Sequence, residues 1–415
     1  MQYGLIGSPL KQSHSPRIHA LFGNPNYELM SLQNEPFHQF MTEKDFIALN
    51  VTLPYKQAIL PYIDTFSPRA QALQTVNTVV KRADGTIYGD NTDFAGFAFM
   101  ARYAGMNFHG KKVLVLGSGG TSTTVCAYLQ EQGAREIVVV QRNGKVNYDN
   151  VEIHHDADFL INTTPVGMYP DSFSTPVDLH QFTALEGVLD VVYNPLNTTL
   201  VMQAKDRGIN ACGGLPMLVE QARLAEEVFF DTKISDSKTL DVLGQMTREL
   251  SNIILIGMPG SGKSTLGKQV ANALHRRLID TDDIIMQKTQ MDITEIFARY
   301  GEETFRFMEE EAVAEACQIS GVVIAMGGGA VLREKNHLAM KANGRIYMIN
   351  RPLENLDQTN RPLSKSAVIL RTMQEKRFPL YKELSDVIIQ NINSPEYAVS
   401  QIEEDFRAYP SHQRP

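Results

Sequence analysis

The sequence has few cysteines, no excess of basic residues and no long apolar run. Its three cysteines, Cys126, Cys212 and Cys317, lie far apart without metal-ligand spacing, which predicts reduced core thiols rather than disulfides or a zinc site. A formal net charge of −8 argues against nucleic acid or an anionic membrane as partner, because both need a basic face. Small anionic substrates remain compatible with this charge.

No apolar stretch reaches the roughly 18 residues of a membrane span, and the first residues lack a signal-peptide pattern. These absences predict a soluble, cytoplasmic protein. The sequence does not fix an oligomeric state, and a homodimer remains open.

A chain of 415 residues is expected to form two or three domains, each with its own core. The segment Ser237–Leu250 has Leu240, Leu243, Met246 and Leu250 at helical spacing. Only Ser251 and Asn252 separate this predicted helix from the next apolar run, so we expect the two halves of the chain to be held close together.

A phosphate-binding motif lies in the second half of the chain. Residues 257–265 read Gly-Met-Pro-Gly-Ser-Gly-Lys-Ser-Thr and directly follow the apolar run Ile253–Ile256. A glycine-rich turn between a buried strand and a helix lets backbone N–H groups surround a polyphosphate. The pattern predicts that Lys263 reaches the outer phosphates and that Ser264 is a magnesium ligand. The nucleotide-binding set comprises Gly260, Ser261, Gly262, Lys263, Ser264 and Thr265.

Three acidic residues, Asp280, Asp282 and Asp283, end the short apolar stretch that follows this motif. Three such residues could simply lie in a solvent-exposed loop. Beside a phosphate loop, however, acids at a strand end are suited to hold magnesium and a substrate hydroxyl.

A second glycine-rich turn follows the apolar run Val113–Leu116, with Gly117, Gly119 and Gly120 before a predicted helix to Glu131. This arrangement is typical of dinucleotide-binding turns, although Ser122 replaces the third glycine. After the next predicted strand the chain has Gln141 and Arg142 instead of the acid that would bind ribose hydroxyls. An arginine suits a 2′-phosphate, so the pattern favours NADPH.

Polar residues cluster at strand ends in the N-terminal region. Ser13 and Ser15 precede a helix predicted from Arg17, where capping and the binding of a carboxylate are equally good readings. Three further polar runs, 50–56, 74–80 and 89–96, lie beside predicted strands and could converge on a polyol.

These four runs, in this order, resemble the shikimate dehydrogenase family, which reduces 3-dehydroshikimate to shikimate with NADPH. The resemblance extends to about residue 235 and implies that Lys56 and Asp93 form the catalytic pair. It implies substrate contacts at Ser13, Ser15, Thr52, Asn77, Asn91 and Gln221. It also implies cofactor contacts at Asn162, Thr163 and Met217. The chain departs from the family by a short segment, 144–160, in place of a full helix and by Pro216 in place of a common glycine.

The second half, from about residue 252 to 407, resembles the shikimate kinase family. The resemblance implies that Asp280 helps to place magnesium, that Asp282 holds the attacking hydroxyl and that Asp283 is a bystander. Arg361 would come from a lid to the transferring phosphoryl group. The substrate would be held by Arg306, Gly328, Gly329 and Arg377. The segment 351–360, before the lid, is shorter than is usual in the family.

The sequence therefore predicts an α/β protein: an α/β substrate domain, a Rossmann dinucleotide-binding domain and a P-loop kinase domain with a central parallel sheet. The predicted boundaries are 1–100 with the helices of 215–250, then 101–214, then 251–415. The expected function is reduction of 3-dehydroshikimate with NADPH, followed by phosphorylation of shikimate with ATP and Mg²⁺. The alternatives are a relaxed quinate/shikimate dehydrogenase fused to a kinase for another small acid, and a non-catalytic metabolite-binding regulator.

Overall fold

The computed structural model describes residues 2–10, 13–356, 367–392 and 394–410. Three β-sheets, each packed with helices, follow one another along this part of the chain, which confirms the predicted α/β class. Among the described helices, none combines the length and the apolarity that crossing a bilayer requires.

The first sheet is mixed and has the strand order β2-β1-β3-β5-β6-β4. Its strands are β1 (Tyr3–Gly7), β2 (Tyr27–Ser31), β3 (Ala48–Val51), β4 (Thr65–Phe66), β5 (Thr78–Lys81) and β6 (Ile87–Asp90). Its helices are α1 (Ser15–Leu21), α2 (Asn34–Glu43), α3 (Tyr55–Ala58), α4 (Pro68–Leu73) and α5 (Asp93–Tyr103). β1, β2 and β3 run parallel, whereas β5 is antiparallel to β3 and β6.

The second sheet is parallel throughout, with the order β11-β10-β9-β7-β8. Its strands are β7 (Lys112–Leu116), β8 (Glu136–Val140), β9 (Phe159–Asn162), β10 (Gly187–Asp190) and β11 (Asn210–Cys212). The helices of this region are α6 (Gly120–Glu131), α7 (Thr199–Asp206), α8 (Leu215–Phe230) and α9 (Asp236–Leu250). α8 leaves this sheet and packs against α5 and α1, so it connects the first two sheets.

The third sheet is also parallel, with the order β13-β14-β12-β15-β16. Its strands are β12 (Asn252–Ile256), β13 (Leu278–Asp280), β14 (Val323–Ala325), β15 (Gly344–Asn350) and β16 (Val387–Gln390). Its helices are α10 (Lys263–Ala273), α11 (Thr281–Thr289), α12 (Ile293–Cys317), α13 (Glu334–Asn343), α14 (Ala367–Leu384) and α15 (Pro395–Ala408).

The central strands of the two parallel sheets are apolar without interruption because both of their faces are covered. In β7, Val113 and Val115 pack into one core while Leu114 packs into another on the opposite face. In β12, Ile253 and Ile254 divide between two cores in the same way. Alternate side chains of a strand point to opposite faces, so each sheet separates two hydrophobic layers.

One helix begins earlier than the sequence predicts, while α9 confirms the helix predicted at 237–250. α1 begins at Ser15 rather than Arg17, since Pro16 fits a first helical turn. In α9 the predicted apolar residue Leu240 is half exposed, at 52%. Thr239 is buried instead and donates a hydrogen bond to Glu220 Oε2 (2.8 Å), which turns the neighbouring Leu240 away from the core.

Other local expectations are confirmed. Segment 144–160 contains only a 3₁₀ turn, Val151–His154, where a full helix is usual. Pro216 lies in the first turn of α8, where its missing N–H is harmless. Ser122 is buried in α6, as expected for a small residue that replaces the third glycine of the turn.

Candidate active sites

A cavity of about 180 Å³ opens beside the ends of β1 and β3 and is closed by α1 and α8. Seven of the predicted substrate and catalytic residues line it: Ser13, Ser15, Thr52, Lys56, Asn77, Asp93 and Gln221. They come from positions up to about 200 residues apart in sequence, and the fold brings them to one place because strand ends and helix N-termini share an edge of the sheet.

Lys56 and Asp93 are in direct contact within this cavity. Lys56 Nζ donates to Asp93 Oδ2 at 2.5 Å, and the carboxylate is buried at the start of α5. Asn77 Nδ2 donates to the other carboxylate oxygen at 2.9 Å and lies 3.2 Å from Gln221 Oε1. A lysine held by an oriented carboxylate is suited to donate a proton to a substrate oxygen.

Asn91 does not line this cavity. Its amide nitrogen donates to the backbone carbonyl of Thr75 (3.1 Å) and to Thr75 Oγ1 (2.8 Å). Its side-chain oxygen accepts from the N–H of Phe94. The structure therefore places Asn91 as a support for the turn before α5, because both ends of its amide are engaged within the protein.

Four polar or aromatic residues that had not been predicted as site residues also line the cavity: His19, Tyr27, Asn50 and Tyr193. Tyr193 follows β10, so the strand-end rule used elsewhere could have found it. Burial raises the pKa of Tyr193, and a hydrogen bond with the Ser13 hydroxyl opposes this rise. Tyr27 donates to Asn50 Oδ1 at 2.8 Å, and Asn50 donates in turn to the carbonyl of Asn77. This chain fixes the residue that holds Asp93.

A buried hydrogen-bonded pair supports the same wall of the cavity. His19 Nδ1 and Glu226 Oε1 are in hydrogen-bond contact, both are 2% exposed, and Asn24 also donates to Glu226 (3.1 Å). The His19 ring stacks on Tyr27 with 3.7 Å between centroids. Burial lowers the pKa of His19, although the contact with Glu226 opposes the shift. No sequence pattern marked this pair, because its members are about 200 residues apart.

The predicted dinucleotide turn faces Lys56. Gly117 has φ of +102°, and a Cβ there would lie 2.8 Å from Thr163 Oγ1, so a side chain is excluded. Around Gly119 no atom lies within 4 Å of a hypothetical Cβ, and at Gly120 the nearest atom is Lys56 Cδ at 3.9 Å. The open space in front of these glycines fits a pyrophosphate at the N-terminus of α6.

Two predicted cofactor contacts, Asn162 and Thr163, have side chains that are hydrogen bonded within the protein. Asn162 is fully buried, and its side chain bonds Asp190 Oδ1 (2.9 Å), the carbonyl of Val166 and the hydroxyl of Thr164. These bonds hold the loop after β9. The side chain of Thr163 donates to the carbonyl of Leu116 (2.6 Å), which fixes this loop against the glycine turn.

Met217 packs into the core beside β7 and is 7% exposed, which leaves little of its surface for a cofactor. Gln141 and Arg142 are exposed after β8, at the edge where the predicted turn lies. This position is accessible to a phosphate.

The phosphate loop joins β12 to α10 as predicted. Gly262 has φ of +96°, and a Cβ there would lie 2.8 Å from Asn391 Nδ2, so this position requires glycine. The same Asn391 nitrogen donates to the carbonyl of Ser261 (2.8 Å). Lys263 Nζ bonds the carbonyl oxygens of Gly257 and Met258 at 2.9 and 3.0 Å, within the loop that the phosphates would occupy.

Oxygen ligands for a cation lie next to this loop. Ser264 Oγ donates to Asp280 Oδ2 at 2.7 Å, and Asp280 Oδ1 accepts from the N–H of Asp282 (3.0 Å), so Asp280 is held as the N-cap of α11. Mg²⁺ bound with a nucleotide commonly uses one or two protein oxygens and completes its shell with phosphate and water. Ser264 and Asp280 fit this requirement.

The predicted acid-binding residues of the kinase region meet at the glycine turn after β14. Gly329 lies against Arg306, whose Nη1 would be 2.0 Å from a Cβ at that position. Arg377 Nη1 donates to the carbonyl of Gly328 (2.9 Å), as does Tyr381 Oη (2.5 Å). The Gly328 carbonyl therefore holds Arg377.

Glu309 is a buried acid that the sequence analysis passed over. It is 1% exposed and accepts from Arg306 Nη1 at 2.6 Å. Burial raises its pKa, while Arg306 and Arg377 oppose the shift. Asp282 lies on the same side, since a Cβ at Gly327 would contact both Asp282 Oδ1 (2.8 Å) and Glu309 Oε1 (2.6 Å). Two arginines beside an acid-lined turn can bind a carboxylate and leave a hydroxyl near Asp282. The predicted lid residue Arg361 lies outside the described residues.

Comparison with protein families gives two matches. The model of the shikimate dehydrogenase substrate-binding domain matches residues 5–79, and that of shikimate kinase matches residues 259–407. The chain is similar to the NADP⁺ shikimate dehydrogenases of Clostridium perfringens (35% identity over 57% of this chain and 94% of the relative). A relative from Methanosphaera stadtmanae is 30% identical over 54% of this chain and 90% of its own length.

Solved structures of shikimate dehydrogenases are similar to 59% of this chain. Shikimate dehydrogenase 1 from Peptoclostridium difficile has 31% identity and a TM-score of 0.55 over 59% of this chain and 98% of its own. The Thermus thermophilus enzyme, solved with NADP(H) and shikimate, has 30% identity and a TM-score of 0.53 over 59% of this chain and 99% of its own. A chorismate mutase/shikimate 5-dehydrogenase fusion from Clostridium acetobutylicum has 32% identity and a TM-score of 0.54 over 59% of this chain and 96% of its own.

Proposed function

This chain belongs to the shikimate dehydrogenase family and carries a shikimate kinase domain, and from this we propose that it catalyses two successive reactions. The first reduces 3-dehydroshikimate to shikimate with NADPH. The second transfers the γ-phosphoryl group of ATP to shikimate and gives shikimate 3-phosphate. The product of one site is the substrate of the other.

We assign the substrate-binding domain of the dehydrogenase to residues 1–100 together with the helices of 215–250. The dinucleotide-binding domain would comprise 101–214 and the kinase domain 251–415. The packing of α8 on α5 and α1 supports the return of 215–250 to the first domain. This arrangement leaves the cofactor turn of one domain facing Lys56 of the other.

In the reduction, the nicotinamide supplies the hydride to the ketone carbon when bound. Lys56 then gives a proton to the oxygen, which would otherwise remain an alkoxide. Asp93 holds the ammonium by a 2.5 Å hydrogen bond, and Asn77 orients Asp93 from its other side. Ser13 and Ser15, which are hydrogen bonded to each other at 3.0 Å, offer hydroxyl groups to the substrate carboxylate.

In the phosphorylation, ATP with Mg²⁺ supplies the phosphoryl group when bound. Asp282 orients the substrate hydroxyl, and Arg306 and Arg377 bind its carboxylate. Lys263 and the backbone of 260–265 hold the phosphates, while Ser264 and Asp280 supply oxygen ligands to the cation. Arg361 would stabilise charge on the transferring group, a role that rests on the resemblance alone.

One observation carries this proposal furthest. The Lys56–Asp93–Asn77 cluster lies in a cavity whose walls carry serine, threonine and amide side chains, and Lys56 Cδ lies 3.9 Å from a Cβ built on Gly120 of the cofactor turn. A dinucleotide bound with its pyrophosphate at that turn would therefore pass beside the cavity that holds the proton donor, and carbonyl reduction requires hydride donor and proton donor at one site.

The test is to supply 3-dehydroshikimate, NADPH, ATP and Mg²⁺ together and to detect shikimate 3-phosphate by mass. Parallel assays with quinate and NAD⁺ distinguish a relaxed quinate/shikimate dehydrogenase from the proposed enzyme. Tight binding of these small molecules without turnover would indicate a metabolite-binding regulator.

Two matched variants assign the sites. We expect Lys56→Ala to lower reduction by at least about a hundredfold, the usual size of a lost general acid, while phosphorylation of added shikimate persists. Lys263→Ala should do the reverse. Loss of both activities in either folded variant would contradict the two-site proposal.

A further inference from the structure

Two loops of the dehydrogenase part are among the segments that contact the kinase domain. Tyr169 Oη donates to the carbonyl of Cys317 at 3.0 Å. The N–H of Asn197 donates to the carbonyl of Ala342 at 2.9 Å, and the N–H of Leu196 donates to Asn343 Oδ1 at 2.7 Å. Cys317 ends α12, and Asn343 ends α13, so the kinase side of this interface consists of helix ends.

These two loops leave the carboxyl edge of the dinucleotide-binding sheet. Tyr169 lies on the loop after β9 and Leu196 on the loop after β10. The glycine turn after β7 lies at the same edge, because parallel strands end there together. Tyr193, on the same loop as Leu196, lines the substrate cavity. The interface is therefore directly connected to both parts of the dehydrogenase site.

The loops are also bonded to each other. The N–H of Tyr169 donates to the carbonyl of Asn194 at 3.1 Å. Buried Asp190 accepts from Asn162 Nδ2 (2.9 Å) in one loop and from Thr198 Oγ1 (2.6 Å) in the other. Because the loops are hydrogen bonded to each other and to Asp190, a contact to either one restrains both.

Asn343 is the kinase side chain that contacts both loops. It is 3% exposed, accepts from Leu196 N–H, and lies with Nδ2 3.4 Å from both Tyr169 Oη and Ser320 Oγ. A buried amide whose polar atoms are all partnered holds one geometry. Its removal would leave the Leu196 N–H without its acceptor inside the interface.

We propose that Asn343 of the kinase domain is a positioning residue for the dehydrogenase site, since it holds the two loops that carry Tyr193 and border the cofactor turn. This inference rests on the proposed reductase function. Asn343 acts through the loops and touches neither substrate nor cofactor. The kinase site is not involved, because α13 ends at the amino edge of the third sheet whereas the phosphate loop lies at its carboxyl edge.

The test uses the full chain with Asn343→Leu, which keeps the branched shape of the side chain and removes both hydrogen-bonding groups. We expect the dehydrogenase kcat/KM to fall about tenfold, as for loss of a buried hydrogen bond, mainly through higher KM values for NADPH and 3-dehydroshikimate. The kinase kcat and its KM values for shikimate and ATP should stay within about twofold, the spread expected between neutral variants.

Three further variants separate positioning from general damage. Asn343→Asp keeps an acceptor for the Leu196 N–H and should restore most of the reductase activity. Tyr169→Phe removes the bond to the Cys317 carbonyl from the other side of the interface and should raise the same KM values. Lys335→Ala, at the start of α13, removes an exposed pair with Glu310 and should change neither enzyme.

Reductase parameters of Asn343→Leu equal to those of the unmodified chain would overturn the inference, as would a parallel fall of both activities. No reduction at all by the unmodified chain would instead contradict the proposed function, and this inference with it. A selective rise in the reductase KM values, reversed by aspartate, would support it.

Discussion

Asn77 is the residue on which the geometry of the reductase site depends. Its amide nitrogen bonds Asp93, Thr92 and Gln221, and its oxygen accepts from the N–H of Thr92 at 2.8 Å. The amide is thereby fixed in orientation and presents a donor to the carboxylate that holds Lys56. The resemblance gave Asn77 as a substrate contact, whereas the structure adds a second task, orientation of the catalytic pair.

Arg377 provides a test of carboxylate binding at the kinase site. The side chain is 5% exposed and bonds the Gly328 carbonyl. We expect Arg377→Lys to raise the KM for shikimate about tenfold with the charge unchanged, because an ammonium cannot make a two-pronged contact. Steady-state kinetics with varied shikimate measures this. Arg371→Lys, exposed on the same helix, is the matched control, and an unchanged KM for Arg377→Lys would remove Arg377 from the site.

Arg142 provides a test of cofactor choice. We expect Arg142→Ala to raise the KM for NADPH by roughly ten- to a hundredfold while the KM for NADH changes little, because only NADPH offers a 2′-phosphate to the guanidinium. Assays with both cofactors measure the ratio. Arg135→Ala, 61% exposed in side chain on the same domain, serves as control. Equal losses with both cofactors would contradict the assignment.

Among the elements, the loops after β9 and β10 show how a buried acid can organise a binding edge. Asp190 ends β10, is fully buried, and accepts from Asn162, Val192 and Thr198. Burial raises its pKa to about 7, and these three donors oppose the shift. The carboxyl group thus links the two loops, and because it is buried it titrates near neutral pH.

This pKa predicts how stability depends on pH. Between about pH 4 and pH 7 the folded protein keeps a proton on Asp190 that the unfolded chain has released, so the free energy of unfolding falls as pH rises through that window. The slope is at most about 1.4 kcal/mol per pH unit. The stabilisation of the folded protein by this proton on Asp190 is fully present below about pH 4.

Thermal unfolding at pH 5, 6 and 7 measures this dependence against Asp190→Asn, which cannot titrate. We expect the Tm of the unmodified chain to fall relative to that of the variant as pH rises. Asparagine fits the site because its oxygen can accept from Asn162 and Val192 while Thr198 turns to accept from its nitrogen. Parallel Tm profiles for the two proteins would show that Asp190 does not titrate in this range.

At the scale of the whole molecule, the two active sites lie on different sides of the interface. The loops at the carboxyl edge of the second sheet meet the ends of α12 and α13, which lead into β14 and β15 at the amino edge of the third sheet. α7 and α9 add further contacts with the kinase domain. The phosphate loop lies beyond β12, a strand of five residues that spans about 17 Å. The described contacts therefore do not bring the two sites face to face.

We therefore predict that shikimate passes between the sites through bulk solvent. The net charge of −8 also disfavours a basic track that would guide a carboxylate. The measurement runs the coupled reaction on labelled 3-dehydroshikimate with excess unlabelled shikimate. Free mixing dilutes the label in shikimate 3-phosphate to the level of the pool. Undiluted label would demonstrate direct transfer and defeat the prediction.

The sequence by itself determined the features that depend on neighbours along the chain. The run from Ile253 to Thr265 predicts a strand, a glycine turn and a helix because each step has a local physical cause: apolar residues, a required positive φ and a helix N-terminus that favours anions. The same reasoning anticipated the turn at Gly117, since glycine placement is local. The missing helix of 144–160 was anticipated from the length of this segment compared with the family that the chain resembles.

Only the tertiary structure decided the features made by residues distant in sequence. The His19–Glu226 pair, the placement of Glu309 between two arginines and the contact of Asn343 with the loops at Tyr169 and Leu196 have no local signature. The exposure of Leu240 and the burial of Asn162 have no local signature for the same reason: helical spacing or a motif names a residue, but partners on other elements decide which way its side chain is directed. Burial and hydrogen-bond partners are properties of the packed chain, so they appear only once the sheets are assembled.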